Sequence, residues 1–235
     1  MPGSPSVYGP AYTPCRAQEQ PARPEHGVHL CETDRFLAIG ERDLAGGQQN
    51  LGGNERRRLM ATQPFTTVYL LHGKGGWPGG SVLQLEGLLC KSFPEPRYVR
   101  PSLPHGREKG EQPAERSVDF LGELVIEPAA LLVGISLGGL VAAKLQETGR
   151  EDLHVVCISS PTWADGVCLE KRVSNRLALY SSQDNVIAGR TSRWPDLAEA
   201  YDLPWLTHDT DAHKEALAKL IVAYMSSDMG ALVRS

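Results

Sequence analysis

Ser136 stands at the centre of Gly134-Ile135-Ser136-Leu137-Gly138, a spacing that can hold one hydroxyl out for chemistry. At the apex of a sharp strand-to-helix turn a serine adopts a strained backbone, so the residues two before and two after it must lack a Cβ for strand and helix to approach. Gly134 and Gly138 fill those positions. A serine hydroxyl is a poor nucleophile at neutral pH and needs an imidazole to take its proton, with a carboxylate to hold the ring. The bland reading of the pentapeptide is a serine in a glycine-rich turn. Which reading stands depends on the elements around it.

Those elements fit the chemical reading. Ala130 to Ile135 is an apolar run of strand length, and an Ala-rich helical pattern follows from Leu137 to Thr148, ended by Gly149 as a C-terminal cap. Upstream, Thr67-Val68-Tyr69-Leu70-Leu71 is the kind of run found in a parallel sheet covered on both faces, and it ends at His72-Gly73-Lys74-Gly75-Gly76. This glycine-rich loop does not cradle phosphate. Lys74 has no glycine six residues upstream in the required register, and no Ser or Thr follows it. His72 reads as a structural histidine that braces its own loop.

A capping-box sequence, Ser81-Val82-Leu83-Gln84, and leucines at 85, 88 and 89 predict a helix over 81–92. A strand over 97–100 stops at Pro101, and 102–112 reads as a mobile surface loop whose Arg107 and Lys109 are solvated charges. That loop leaves the carboxyl end of a strand, the edge of an open parallel sheet where ligands bind, so it borders the expected site. A helix over 114–124, a strand over 154–159 and a strand over 176–180 continue the rhythm. Only about 15 residues separate the last two strands, which leaves room for a small cap and an open site, with Trp163 either lining it or packed on its rim. A helix near 195–201 and a strand over 203–207 follow, with His208 immediately beyond. Leu217, Leu220, Ile221, Tyr224 and Met225 give the final helix one apolar face, with Asp211 as its N-cap and His213 in its first turn.

The strand, the Gly-x-Ser-x-Gly turn and the strand ending in His-Gly together resemble the α/β-hydrolase family, over roughly residues 65–226. The resemblance implies an α/β fold, a mostly parallel central sheet with helices on both faces and a small or absent cap. It implies Ser136 as nucleophile, with the backbone N–H groups of Lys74 and Leu137 as the oxyanion hole. It places the acid a few residues beyond the strand over 176–180, where Asp184 matches; Asp165, after the preceding strand, is the rival. The base belongs on the loop before the last helix, where His208 is preferred to His213 although Thr207 replaces the glycine usual before it. The order Ser136, Asp184, His208 is the order the family uses. The implied activity is hydrolysis of an acyl ester or thioester of modest size, without metal or organic cofactor. An amidase or peptidase on the same residues, and a non-catalytic binding protein of this fold, are the alternatives.

At 235 residues the chain has the length of one ordinary domain. Its net charge of -4, with both signs scattered, offers no basic stripe to nucleic acid or an anionic membrane. The expected partner is a small acyl substrate. No apolar run reaches the roughly 18 residues of a membrane span, and five cysteines without a CxxC pair read as reduced thiols, so a cytoplasmic location is expected. Residues 1–63 differ from the rest, being rich in proline and then in Gly, Gln and Asn. They read as a low-complexity extension, mostly disordered, in which only 28–31 and 36–39 have strand character. The hydrolase domain is assigned to 64–235. Met60, just before the first convincing strand, looks like an ordinary start, which would make 1–59 an upstream extension without a catalytic role.

Overall fold

The computed structural model describes residues 28–30, 65–105 and 113–226. Its centre is a seven-stranded sheet. The strands are β1 (Val28–Leu30), β2 (Thr67–Leu71), β3 (Arg97–Pro101), β4 (Leu131–Ile135), β5 (His154–Ile158), β8 (Arg176–Tyr180) and β9 (Glu199–Asp202). They lie in the order β1-β3-β2-β4-β5-β8-β9. Six run parallel, and β1 is antiparallel to β3 at the edge. Apart from β1, the expectations for residues 1–63, for Met60 and for the tip of the 102–112 loop fall outside the described residues. Val28–Leu30, within the 28–31 stretch that has strand character, joins the sheet.

The apolar runs are continuous because helices cover both faces. Alternate residues of each strand point to opposite sides. Tyr69, Leu71, Leu132, Val155 and Ala178 belong to one core with α2 (Pro113–Glu123) and α3 (Leu137–Glu147). Val68, Leu70, Val133, Ile135, Val156 and Leu179 belong to the other with α1 (Ser81–Ser92) and α5 (Lys214–Met225). α3 ends as expected, with Gly149 at φ 109° just past Thr148.

Four local expectations are corrected. α1 begins at Ser81 itself with Gly80 at the N-cap, so the capping box does not form. The predicted strand over 203–207 is instead a turn, and the strand is Glu199–Asp202, paired in register with Leu177–Tyr180. Leu203 N–H still donates to Tyr180 O at 2.7 Å, but Pro204 has no N–H to extend the ladder, and Leu206 N–H turns back to Leu203 O at 2.9 Å. The helix expected before this strand shrinks accordingly to α4 (Trp194–Leu197). Finally, Asp209 rather than Asp211 caps the last helical segment, its carboxylate accepting from Asp211 N–H ahead of a 3-10 turn over Thr210–His213.

Between β5 and β8 the chain makes only a hairpin, β6 (Trp163–Ala164) and β7 (Val167–Cys168). Asp165 and Gly166 turn it with φ of 47° and 83°, the pair of positive angles that a two-residue hairpin turn requires. Where this cap rejoins the sheet, Arg176 is fully buried. Its guanidinium reaches Gln146 Oε1 at 2.9 Å, Ala143 O at 2.9 Å, Lys171 O at 3.0 Å and Glu147 Oε1 at 3.4 Å. Glu147 in turn accepts from the backbone N–H groups of Glu170 and Lys171. Without Arg176, Glu147 keeps Lys144 Nζ at 3.4 Å, but the buried Gln146 Oε1 and Ala143 O lose the guanidinium as donor; breaking a buried pair costs about 3–5 kcal/mol. Arg176→Met is therefore expected to lower unfolding free energy by about that amount in urea melts; a loss below about 1 kcal/mol would show that the network is not what anchors the cap.

Candidate active site

The elbow is built by close approach. Ser136 has φ 51° and ψ -121°, and its N–H donates to Ile158 O at 2.8 Å across the neighbouring strand. A Cβ on Gly134 would collide with the backbone of Gly138 and Gly139, and one on Gly138 would lie 2.5 Å from Leu71 O and 2.6 Å from His72 O. Both obstacles are backbone and cannot give way. The same holds more mildly for Gly73, where a Cβ would lie 3.2 Å from Ser136 Cβ and 3.3 Å from Ile135 O. The loop after β2 is thus laid directly against the serine.

His208 and Asp184 meet Ser136 from two other loops. Ser136 Oγ lies 3.2 Å from His208 Nε2, and His208 Nδ1 lies 2.9 Å from Asp184 Oδ2. The carboxylate fixes the tautomer: Nδ1 carries the proton it donates to Asp184, leaving the Nε2 lone pair for the serine hydroxyl. Asp184 cannot swing away, because its other oxygen accepts from Val186 N–H at 3.0 Å and its side chain is fully buried. His208 is a quarter exposed, so this relay opens to solvent at the imidazole.

The rival residues lie elsewhere. His213 Nε2 sits 3.1 Å from Thr207 Oγ1, and its ring packs beside Trp205 at 5.4 Å. Asp165 pairs with Lys74 Nζ at 3.0 Å, joining the cap hairpin to the loop after β2. Trp163 is half exposed on that hairpin, with the Arg190 guanidinium 4.6 Å above its ring. Among the described residues neither the Lys74 nor the Leu137 backbone N–H donates a hydrogen bond. Leu137 opens α3 directly after Ser136, and Lys74 follows Gly73. Beside them Gly73, Gly76, Trp77, Val82 and Ile135 line a cavity of about 330 Å³.

His72 is the bracing residue the sequence suggests. Its Nε2 accepts from Leu103 N–H at 3.1 Å, which leaves the proton on Nδ1 to donate to Gly73 O at 3.0 Å. It packs edge-on against a second buried histidine, His105, with ring centroids 5.1 Å apart. Sequence reasoning gave His105 no role, since a lone histidine in a polar loop carries no pattern. Among the described residues no cluster of His, Cys, Asp or Glu could hold a metal ion, and no helix is long and apolar enough to cross a membrane.

The sequence profile of the Alpha/beta hydrolase family matches residues 68–233. No curated protein matches the chain. Among solved structures, alpha/beta hydrolase domain-containing protein 10 from mouse superposes with a TM-score of 0.54 at 14% identity, over 68% of this chain and 90% of that one. A serine hydrolase involved in carbazole degradation gives 0.55 at 16% identity, over 71% and 93% of the two chains. Est1E from Butyrivibrio proteoclasticus, with ferulic acid bound, gives 0.51 at 13% identity, over 72% and 91%. At such identities the likeness is one of fold.

Burial pushes His105 down to about 4 and lowers His72 as well; at His105 the hydrogen bond to the His72 backbone and the charge of Asp165 work against this, and the charge of Lys74 adds to it. In the unfolded chain His105 takes up a proton below about pH 6.5, whereas in the fold it stays neutral to about pH 4. Between those values the unfolded state binds more protons, so this stabilisation is complete above about pH 6.5 and is lost as pH falls towards 4, by up to about 3 kcal/mol. Thermal melts between pH 7 and 4.5 are expected to show a steeper decline for the wild type than for His105→Gln; parallel curves would contradict it.

Proposed function

The chain belongs to the alpha/beta hydrolase family, and from that premise we propose that it is a serine hydrolase cleaving acyl esters or thioesters of modest size through Ser136, His208 and Asp184. The observation that carries this reading is the continuous relay from Ser136 Oγ to His208 Nε2, at 3.2 Å, and from His208 Nδ1 to Asp184 Oδ2, at 2.9 Å. In the first step Ser136 Oγ bonds to the acyl carbon while its proton passes to His208 Nε2. The carbonyl oxygen becomes an oxyanion, received by the N–H groups of Lys74 and Leu137. As the oxyanion collapses, the bond to the leaving oxygen or sulfur breaks, and His208 returns the proton to that atom. Asp184 stabilises the imidazolium formed in between and keeps the ring in register. Water then attacks the acyl-enzyme, giving its proton to His208. The acid departs, Ser136 recovers the proton and no metal or organic cofactor takes part.

The walls near the relay support a substrate of modest size. A cap reduced to one short hairpin leaves the relay open on one side, and a cavity of about 330 Å³ lies at the small end of ligand sites. A compact acyl or alcohol group fits there. A cytoplasmic setting belongs to the same proposal, supported by Cys90, Cys157 and Cys168 being free thiols; Cys15 and Cys31 fall outside the described residues.

A fluorophosphonate probe tests the assignment directly. Labelling is expected to vanish in Ser136→Ala and to fall by about a thousandfold or more in rate in His208→Ala and Asp184→Asn, while His213→Ala labels like the wild type. A folded wild-type protein that takes no label would sink the proposal.

A further inference from the structure

The Lys74 amide can serve an oxyanion only if the loop that carries it is held still, and the means of holding it lie beyond the elbow. Three hydrogen bonds join the loop over 72–75 to the segment 103–105, and a fourth ties that segment to α2. His105 Nε2 donates to His72 O at 2.7 Å, and His105 O accepts from Gly75 N–H at 3.1 Å. Leu103 N–H donates to His72 Nε2 at 3.1 Å, and His105 N–H donates to Ser117 Oγ on α2 at 3.1 Å. Ring and backbone of His105 thus grip the loop on either side of Gly73 and Lys74.

The atoms leave one protonation pattern. The partner of Nε2 is a carbonyl, so Nε2 carries the ring proton. Nδ1 must then accept, and the Ser117 hydroxyl 2.9 Å away donates to it while taking the backbone N–H of His105. All of this is buried, His105 being 1% exposed and Ser117 fully covered. The gripped carbonyl is also the one that Gly138 of the elbow helix approaches, since a Cβ there would lie 2.6 Å from His72 O. The His72 carbonyl is therefore fixed between the elbow and the His105 ring.

We propose that His105 is a positioning residue for catalysis, holding loop 72–75 so that the Lys74 amide faces the acyl oxygen on Ser136. The proposal rests on the serine-hydrolase reading. His105 touches no reacting atom. It acts through the His72 carbonyl and the Gly75 amide, and its effect belongs to the transition state, where negative charge builds on the oxygen, more than to substrate binding. A neutral side chain with a donor at the position of Nε2 should replace it, whereas a ring of similar bulk without one should not.

The test compares wild type, His105→Phe, His105→Gln and Ser117→Ala in the full chain, using p-nitrophenyl acetate hydrolysis and amide hydrogen exchange over residues 72–77. His105→Phe is expected to lower kcat at least about tenfold while KM stays within about threefold, because the loss is of transition-state stabilisation. His105→Gln should recover most of kcat. Exchange over 72–77 should quicken in His105→Phe while Leu131–Ile135 exchanges as before. Ser117→Ala, which frees the ring's tautomer and takes the acceptor from the His105 backbone N–H but keeps the ring's bond to His72 O, should give a smaller change of the same kind and serves if His105→Phe does not fold. Wild-type kcat and exchange in His105→Phe, or in Ser117→Ala where only that variant folds, would overturn the proposal, as would a loss carried by KM. Ser136→Ala run alongside separates the two readings. If hydrolysis survives that substitution the serine-hydrolase reading falls, and exchange over 72–77 alone then decides whether His105 holds the loop.

Discussion

Everything near the candidate site depends on how closely the backbone of α3 passes the ends of β2 and β4. At Gly138 there is room for a hydrogen and nothing larger, because the carbonyls of Leu71 and His72 stand where a Cβ would be. At Gly134 the obstacle is the helix itself. This contact forces Ser136 into a positive φ, which a residue with a side chain adopts at a cost of order 1–3 kcal/mol. The buried faces of β4 and α3 overcome that strain: Leu131 to Ile135 and nearly all of α3 are shielded from water. The strained serine is thus supported by the most deeply packed part of the molecule.

From that point the parallel sheet does the rest of the positioning. Strands that run the same way deliver their following loops to the same edge, so Gly73 and Lys74 after β2, Ser136 after β4, Asp184 after β8 and His208 after β9 converge although together they span 136 residues of sequence. Each is then trimmed locally. Gly73 lies against the serine, Val186 N–H orients the Asp184 carboxylate and that carboxylate orients His208. No long-range device is required. The order of strands suffices, and the order follows from burying apolar residues on both faces.

This is why most of the site was legible in the sequence. Strands β2, β4, β5 and β8 are central and buried on both faces, so they appear as unbroken apolar runs, and the loops that matter follow them directly. β9 is at the sheet edge, exposed at Glu199 and Asp202 and half-buried between, and it carries no such run. The apolar Leu203-Pro204-Trp205-Leu206 therefore drew the strand assignment, although Pro204 cannot complete a ladder. Ending the strand at Asp202 and not at Thr207, five residues earlier, moved His208 from the strand end to a loop without changing its neighbours. The His105 grip could not be read at all. It depends on a carbonyl, an amide and a hydroxyl meeting in space, and none of those leaves a period in the sequence.

Two attachments hold the loop after β2, and their magnitudes differ. The Lys74–Asp165 pair ties it to the cap hairpin, yet the lysine side chain is 63% exposed, and such pairs contribute about 0–1 kcal/mol and weaken with salt. The bonds to His72 and His105 are buried, and breaking one strands a polar group away from water at about 1–3 kcal/mol. The loop's resting place is therefore set from inside, by the histidines. The lysine contact is free to break without moving the amide. Its consequence falls on the other partner: Asp165 sits at the tip of a hairpin whose two strands are two residues each, and a contact worth little to the sheet matters more to an element so small. The rigidity of the proposed oxyanion loop is in this way a property of the core, and its tie to the cap hairpin one of the surface.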